Sequence, residues 1–258
     1  MVKFVIFILI GTTSQAETLG QFCGKIISQQ GQVEVLRLKV DSQDNLRMGM
    51  KATPKMDLEC RDVILTSRAS RAKIKLKTTV LTLAPSSRFS IEEHDSNSHD
   101  VSLLNLTYGK IRTLVNKQAN DDATFKITTP SAVMGVRGTD FFTSFDPNTL
   151  TTEQATISGT VEVEQKSTGQ KVLVEKGQQV KVEYPPVVKD EEIPAAKELK
   201  VSAIGPKIVE QIKQTSYIAK DDKEFASTEA ISLLGEPKKW LPPDDELPLD
   251  LKDMKNEF

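Results

Sequence analysis

The most informative stretch of this chain covers residues 129–146 and reads Thr-Pro-Ser-Ala-Val-Met-Gly-Val-Arg-Gly-Thr-Asp-Phe-Phe-Thr-Ser-Phe-Asp. Pro130 excludes a helix across its start, because proline lacks an N–H and biases the preceding residue toward extended geometry. Gly135 and Gly138 flank two residues and predict a bend, since glycine adopts φ values that other residues avoid. Residues 139–145 are rich in aromatic side chains and predict a strand. The stretch therefore predicts a turn, a bend and a strand.

The same β character extends over residues 25–184, where the dominant hydrophobic period is two. Residues 31–40, for example, read Gly-Gln-Val-Glu-Val-Leu-Arg-Leu-Lys-Val, with apolar and polar side chains alternating. Alternation of this kind is typical of half-buried strands. Clusters of turn residues separate the strands, and no helical period lies between them. The sequence predicts an all-β domain of short antiparallel strands, solenoid-like or a sandwich.

One phrase recurs in this region. Residues 31–35 read Gly-Gln-Val-Glu-Val, residues 159–163 read Gly-Thr-Val-Glu-Val, and residues 109–113 give a weaker copy. In each copy a glycine precedes an amphipathic strand. Two interpretations stay open: an ordinary turn into a strand, or stacked units as in a short β-solenoid.

The N-terminus predicts export. Lys3 supplies one positive charge, residues 4–11 are an apolar run, and Ser14 and Ala16 occupy the −3 and −1 positions of a cut after Ala16. This pattern is typical of a secretory signal peptide over residues 1–16. The alternative is a membrane anchor, but the run is far shorter than the roughly 20 residues that span a bilayer. We expect a periplasmic or secreted protein without a transmembrane segment in its mature chain.

Cys23 and Cys60 are the chain's two cysteines. Two cysteines in an exported protein predict one disulfide, and the alternative is a pair of unpaired buried thiols.

The composition changes after residue 184. Residues 185–196 are rich in proline and acidic residues and predict a linker. Pro206 suits the first position of a helix over residues 207–220, and a second short helix is predicted over 227–234. Residues 237–258 are rich in proline and acids and are expected to be extended or disordered. We expect residues 185–258 to form a partly helical, partly disordered C-terminal extension of the β domain.

Nothing in the chain predicts an active site, a cofactor site or a metal site. The 34 basic and 36 acidic residues give a formal charge of −2, which does not favour nucleic-acid binding. His94 and His99 lie in a polar stretch that lacks a scaffold for oriented metal ligands, so a solvated loop is the favoured interpretation over a metal site. With two histidines and no ordered motif, no catalytic constellation can be assembled. We expect a protein that is not an enzyme.

Residues 61–77 contain a cluster of basic side chains, and the last part of this range, residues 72–77, is a predicted strand. The members of the cluster are Arg61, Arg68, Arg71, Lys73, Lys75 and Lys77. The three lysines would share one strand face. That face is expected either to be solvated and to guard against edge pairing, or to contact anionic envelope polymers or lipid headgroups.

Arg137 stands between the two signature glycines and has two alternative roles. Its guanidinium either supports the turn from inside by donating to several backbone carbonyls, or recognises a carboxylate or partner at an exposed turn.

The signature resembles the central phrase of the FecR domain, and Pro130, Gly135, Arg137, Gly138 and Thr139 are the residues that carry the resemblance. Further FecR-like phrases are Leu46-Arg-Met-Gly, Asp62-Val-Ile-Leu-Thr-Ser, Leu83-Ala-Pro-Ser-Ser-Arg-Phe-Ser-Ile and Gly177-Gln. The resemblance covers residues 24–184 and implies a FecR-like β domain.

Signalling members of that family carry a cytoplasmic anti-sigma segment, one transmembrane helix and a periplasmic domain. This chain resembles the periplasmic part preceded by a signal peptide. The resemblance implies a non-enzymatic envelope module that binds a protein partner through the β domain and the C-terminal arm. A carbohydrate- or peptidoglycan-binding module and a sensor component of cell-surface signalling are the alternatives.

Overall fold

The computed structural model of this chain describes residues 21–38, 47–76, 79–93, 103–116, 125–184, 197–216 and 228–234. The predicted signal peptide, His94, His99, Lys77 and the tail at 237–258 lie outside these ranges.

The described residues form seventeen strands and two helices, which confirms the predicted all-β fold with a partly helical extension. The N-terminal strands are β1 (Phe22–Gln30), β2 (Val33–Leu38), β3 (Arg47–Lys51), β4 (Asp57–Glu59), β5 (Val63–Thr66), β6 (Arg71–Lys75), β7 (Thr79–Leu83), β8 (Ser87–Glu93) and β9 (Leu103–Val115). The later elements are β10 (Phe125–Thr128), β11 (Ala132–Val136), β12 (Asp140–Asp146), β13 (Thr151–Ser158), β14 (Thr160–Gln165), β15 (Lys171–Glu175), β16 (Gln178–Glu183), β17 (Val201–Ala203), α1 (Pro206–Ser216) and α2 (Thr228–Leu234).

The strands form two sheets that share β9. Sheet A has the order β4-β1-β6-β7-β9-β12-β13-β16-β17 and is antiparallel throughout. Sheet B has the order β3-β2-β5-β8-β9-β10-β11-β14-β15, and its β9–β10 pair is parallel. One continuous apolar core contains side chains from both sheets, so the architecture is a sandwich.

Successive strands bend from one sheet into the other, and we call each such pair a bent unit. The bent units are β1/β2, β3/β4, β5/β6, β7/β8, β11/β12, β13/β14 and β15/β16, while β9 crosses both sheets by itself. Because neighbouring units pair in both sheets, the units stack on one another. The recurring phrase in the sequence therefore marks stacked units, although their order along the sandwich differs from their order in the chain.

The three glycines of that phrase lie where the chain crosses between the sheets. Gly31, Gly109 and Gly159 have φ values of +71°, +97° and +83°. A Cβ atom at each would overlap a residue in the adjacent corner; those residues are Ser70, Ser87 and Thr139 in the same order. Glycine is therefore required twice over at these corners, for its φ and for the close approach of the next unit.

The first end of the sandwich is held by a disulfide. Cys23 in β1 is bonded to Cys60, which follows β4, and their Cα atoms are 5.1 Å apart. This confirms the predicted pairing. Beside it, Arg37 donates to the buried carboxylate of Asp62, with 2.8 Å between Nη2 and Oδ2, and forms an ion pair with Glu59. These contacts connect the outermost units of this end.

The other end of the sandwich is closed by the C-terminal arm, which we define as residues 197–216 and 228–234. Its strand β17 pairs with β16, and Leu199 inserts into the core with 7% of its surface exposed. The helices α1 and α2 cover the outer face of sheet A, packing Ile212 and neighbouring apolar residues on Phe142 and Ile157. The described part of the arm thus folds onto its own β domain.

A buried ion pair lies beneath α1. Arg112 in β9 donates from Nε and Nη2 to the carboxylate of Asp140 in β12, over 2.9 and 2.6 Å. Its Nη1 donates to the hydroxyl of Ser216, the last residue of α1. Both charged side chains are nearly inaccessible to water, at 0% and 2% exposed. The pair therefore connects the β domain to the arm.

The expectation of a solvated lysine face on β6 is wrong for Lys73, and Arg71 of the same basic cluster is buried as well. Arg71 is 0% exposed and Lys73 is 4% exposed, whereas Lys75 is exposed. Ala72 and Ile74, on the opposite face of β6, are also buried. Both faces of this strand are covered, so alternation here does not separate a core face from a solvated face.

Candidate binding site

The structure separates the five signature residues. Pro130 is exposed in the turn between β10 and β11, whereas Arg137 and Gly138 form the corner between β11 and β12. The five-residue strand β11 lies between these positions, and extended chain rises about 3.3 Å per residue. The two groups therefore lie at opposite ends of a strand and do not form one site.

Gly138 and Gly135 have different roles. Gly138 has a φ of +64° at the corner, as a bend requires. Gly135 lies inside β11, where it pairs with Lys126 on one side and Glu162 on the other. The prediction of a bend at Gly135 is therefore wrong, because ladders on both sides hold this residue in a regular strand.

Arg137 is exposed at its corner, which does not fit the interior role considered from the sequence. Thr139, two residues later, is 1% exposed, and its carbonyl accepts from the Val115 N–H over 2.8 Å. It is this threonine, pressed against Gly159, that supports the corner from inside.

The first turn of the signature contains a buried hydroxyl cluster that sequence reasoning missed. The Oγ1 atom of Thr152 lies 2.6 Å from both Thr129 Oγ1 and Ser131 Oγ. Thr129 Oγ1 also accepts from the Ala132 N–H, and the Lys166 ammonium donates to the Thr129 carbonyl over 2.6 Å. Because Thr152 lies in β13 of sheet A and Thr129 follows β10 of sheet B, this cluster ties the two sheets together.

A groove of about 570 Å³ lies along the stacked corners of the N-terminal half, and we call it the corner groove. Five neighbouring units, β3/β4, β1/β2, β5/β6, β7/β8 and β9, contribute residues beside their corners. The lining consists of Gln32, Val33, Glu34, Lys51, Leu65, Thr66, Ser67, Ser86 and Tyr108. The groove therefore crosses the strands.

Backbone hydrogen bonds fix the frame of the corner groove. The Ser67 N–H donates to the Gln32 carbonyl over 3.1 Å, and the Ser86 N–H donates to the Ser67 carbonyl over 3.2 Å. Ser86 has a φ of +53°, which is uncommon for a residue with a side chain. Such conformations persist where the surroundings hold them, and they concentrate at functional sites.

The side chains of the corner groove combine apolar and hydrogen-bonding surface. Leu65 and the Tyr108 ring are half-buried and form an apolar floor, while Gln32, Glu34 and Lys51 are exposed at its rim. Apolar floors with a few polar groups are typical of ligand sites. Within the described residues, no group of three or more His, Cys, Asp or Glu could hold a metal ion.

The sequence did contain a signal for this groove. Gln32 follows Gly31 directly, and Tyr108 precedes Gly109 directly, so the recurring glycine phrase marked the corner residues. What the sequence could not show is that the corners of these units align.

A smaller cleft of about 400 Å³ lies where the β domain meets the arm, lined by Lys181, Glu183, Lys197, Glu198 and Lys200. Glu183 accepts from Lys181 over 2.8 Å and from Lys197 over 2.9 Å. These two ammonium groups lower the pKa of Glu183 to about 2. The cleft is therefore occupied by ion pairs that join β16 to the arm.

Comparison with known proteins identifies a domain within this chain. Residues 62–162 match the family model described as FecR protein, so the chain contains a FecR-type domain, as the signature predicted. The match runs from the residue before β5 into β14, a shorter range than residues 24–184.

Two crystal structures of a candidate anti-sigma factor from Parabacteroides distasonis, at 1.65 and 2.50 Å resolution, are similar to part of this chain. Each shares 15% identity with a TM-score of 0.44, and the alignment covers 55% of this chain and 59% of that one. The similarity thus spans less than two thirds of either chain. No curated protein matches.

Among the described helices, none is long and apolar enough to cross a bilayer.

Proposed function

We propose that this chain is a non-enzymatic, exported interaction module of the bacterial envelope that binds a protein partner. The β domain would supply the corner groove, and the arm would complete the fold that presents it. The observation that carries the proposal is the groove itself, which crosses five neighbouring units and has an apolar floor and a polar rim. A groove of this form fits an extended segment of a partner protein.

The distribution of chemistry in the groove supports a peptide ligand. Leu65 and Tyr108 offer apolar contact, while Glu34 and Lys51 carry opposite charges on paired residues of β2 and β3. Opposite charges along one rim fix the orientation of a bound peptide more than they raise its affinity. Backbone hydrogen bonds hold the frame in place, so little conformational entropy would be lost on binding.

The test is a quantitative pull-down from envelope extract with the full mature chain. Gln32→Ala combined with Lys51→Glu changes two exposed rim residues, and Lys126→Glu in β10 is a matched exposed control outside the groove. We expect at least one envelope protein whose recovery falls about tenfold with the groove variant and is unchanged with the control. Equal recovery with all three proteins would contradict the proposal.

Truncation of the arm is a poor test of this function. Leu199 and Ile212 are buried against the β domain, so removing the arm would expose the core and disturb the fold. Substitutions at exposed rim positions avoid this difficulty, and an unchanged unfolding midpoint would show that the fold is intact.

Export is part of the same proposal. Cleavage after Ala16 would leave Glu17 as the first residue of the mature protein. The observed disulfide supports an oxidising compartment. N-terminal sequencing of protein recovered from the periplasmic fraction would test this directly, and a mature chain that still begins at Met1 would contradict it.

One observation favours a glycan as a second candidate ligand. Tyr108 lines the groove together with Gln32, Ser67 and Ser86, which carry amide and hydroxyl groups. Sugar rings pack on aromatic faces while their hydroxyls form hydrogen bonds. Cosedimentation with purified peptidoglycan that Tyr108→Leu abolishes would support this alternative. The absence of cosedimentation by the unchanged protein would dispose of it.

The FecR match also favours a sensor role in signalling, with the bound partner as the signal.

A further inference from the structure

Strand β15 lies at one edge of sheet B, away from the corner groove. It pairs with β14 along Lys171–Glu175, and the described residues place no strand on its other side. An edge strand carries unpaired backbone groups that can form hydrogen bonds with another chain. Pairing at this edge would not depend on whether the corner groove binds a ligand, because none of the residues that line the groove belongs to β15.

The two faces of β15 differ sharply. Val174 is fully buried in the core and Val172 packs against it. Lys171, Leu173 and Glu175 point to the outer face and are exposed, and Leu173 is 61% exposed, a high value for a large apolar side chain.

Hydrogen bonds show which backbone groups face the open edge. The Glu175 N–H donates to the side chain of Gln178 over 2.9 Å and not to β14. Because donors alternate in direction along an antiparallel strand, the N–H groups of Lys171 and Leu173 face the same open side as that of Glu175. The three residues whose N–H groups face the open edge are therefore the same three residues whose side chains are exposed.

We propose that β15 pairs with β15 of a second copy of this chain, antiparallel and centred on Leu173. The two-fold axis would place Leu173 opposite Leu173, and Lys171 opposite Glu175 in both directions. The sequence Lys-Val-Leu-Val-Glu is self-complementary under this operation, as an isologous interface requires. Sheet B then becomes continuous across both copies, with an apolar pair flanked by two ion pairs.

The opposite edge of sheet B does not have this property. Strand β3 reads Arg-Met-Gly-Met-Lys, so the same operation would place Arg47 opposite Lys51 and Gly49 opposite Gly49. Like charges directly opposite each other destabilise a strand pair, and two glycines offer no side-chain contact. The structure therefore assigns self-pairing to one edge and not to the other.

Dimerisation requires two side chains to move: Gln178 must release the Glu175 N–H, and Lys171 must leave its partners on its own chain. Lys171 contacts Glu162 and Glu164 of its own chain over 3.1 and 3.3 Å, but all three side chains are well exposed. Exposed ion pairs of this kind contribute little, so Lys171 can turn to Glu175 of a second copy at small cost. A five-residue interface is below the size of stable complexes, so we expect a reversible, concentration-dependent dimer.

The test is sedimentation velocity of the full mature chain over a wide concentration range, with the disulfide intact. The unchanged protein is expected to show a monomer–dimer equilibrium. Leu173→Lys places two ammonium groups opposite each other, and we expect it to raise the dimer dissociation constant by tenfold or more. The position is exposed, so an unchanged unfolding midpoint would show that the fold is retained.

A charge-swap series makes the test specific to this pairing. Lys171→Glu and Glu175→Lys each create two repulsive pairs and should weaken the dimer, whereas the double variant restores opposite charges and should recover it. Met48→Lys on β3 is the matched control and should leave the equilibrium unchanged. A protein that stays monomeric at every concentration would overturn the proposal. A dimer that resists Leu173→Lys, or single swaps that the double swap does not rescue, would overturn it equally.

Discussion

The two halves of this sandwich are built from the same kind of bent unit, but the corners of the units lie on opposite sides of the sandwich in the two halves. In the N-terminal half, the corners at Gly31, Ser70 and Gly109 stack on one side. In sheet A, Phe145 lies opposite Gly109 while Asp140 lies opposite Leu114, so the corner before β12 is at the far side. The parallel pairing of β9 with β10 is responsible for this difference. Strand β10 begins beside the first residues of β9, and the chain then forms β11 in sheet B before it crosses to sheet A.

The halves also differ in how their ends are closed. The N-terminal end is closed by the covalent Cys23–Cys60 bond, which joins elements close in sequence. The C-terminal end is closed by the arm, whose Leu199 and Ser216 return from beyond the linker to contact the core and Arg112. The arm therefore belongs to the fold of the β domain. Four sets of substitutions can test this difference between the halves, and the largest effect is expected at the buried ion pair.

Asp140→Ala should reduce the free energy of unfolding by about 3–5 kcal/mol, because it leaves the Arg112 guanidinium buried without its counter-charge. Urea denaturation at neutral pH measures the effect. The double variant Arg112→Met/Asp140→Ala is the matched control and should recover most of the loss, since no buried charge remains. A loss below about 1 kcal/mol for Asp140→Ala alone would mean that the pair does not hold the two elements together.

Replacing both cysteines, Cys23→Ser/Cys60→Ser, should cost about 4 kcal/mol, because the bond closes a loop with a sequence separation of 37. Chemical denaturation gives the total, and reduction of the unchanged protein should reproduce it. Hydrogen exchange then sharpens the comparison: β1 and β4 should lose protection while β16 and β17 keep theirs. Equal loss at both ends would show that the two closures are not independent.

Gly159→Ala should reduce stability by about 2 kcal/mol or more, because alanine is strained at a φ of +83° and its methyl would lie 2.7 Å from the Thr139 methyl. Gly135→Ala is the matched control within the signature, since nothing lies within 4 Å of its added Cβ. This change should be neutral or stabilising by up to about 1 kcal/mol, as glycine weakens strands. Thermal unfolding of both variants is sufficient, and similar losses would contradict the assignment of Gly159 as a corner.

Glu183→Gln should produce the smallest effect, at most about 1 kcal/mol at neutral pH, because the carboxylate is partly exposed. Lys181 and Lys197 lower its folded-state pKa to about 2, so its contribution is present above the unfolded-state pKa of about 4.3 and is lost as pH falls toward 2. Urea midpoints of both proteins measured from pH 7 to pH 2 should therefore converge. A difference that persists at pH 2 would show that charge is not the cause.

Several features of the fold were predictable because they depend on local chemistry. Alternation revealed the strands, Pro206 marked the first residue of α1, and two cysteines in a chain expected to be exported indicated their own pairing. The recurring glycines were visible as a phrase, although their shared role as corners was not. Each of these signals concerns a residue and its near neighbours.

The lysine face of β6 and the bend at Gly135 were mispredicted for one shared reason. Whether Lys73 meets water, or Gly135 lies at a corner, depends on which segments lie across the sheet, and those segments are distant in sequence. The corner groove was invisible for the same reason, since it exists only where the corners of five units align.

The sequence by itself determined the all-β class, the FecR-type domain, the disulfide and the start of α1. Tertiary structure alone decided that Arg112, Asp140 and Ser216 meet beneath α1, that Leu199 closes the core, and that β15 is an edge among the described strands. Local patterns report the conformation and burial of one strand at a time. Pairing order and side-chain contacts between segments 28 to 104 residues apart depend on the packing of the whole chain.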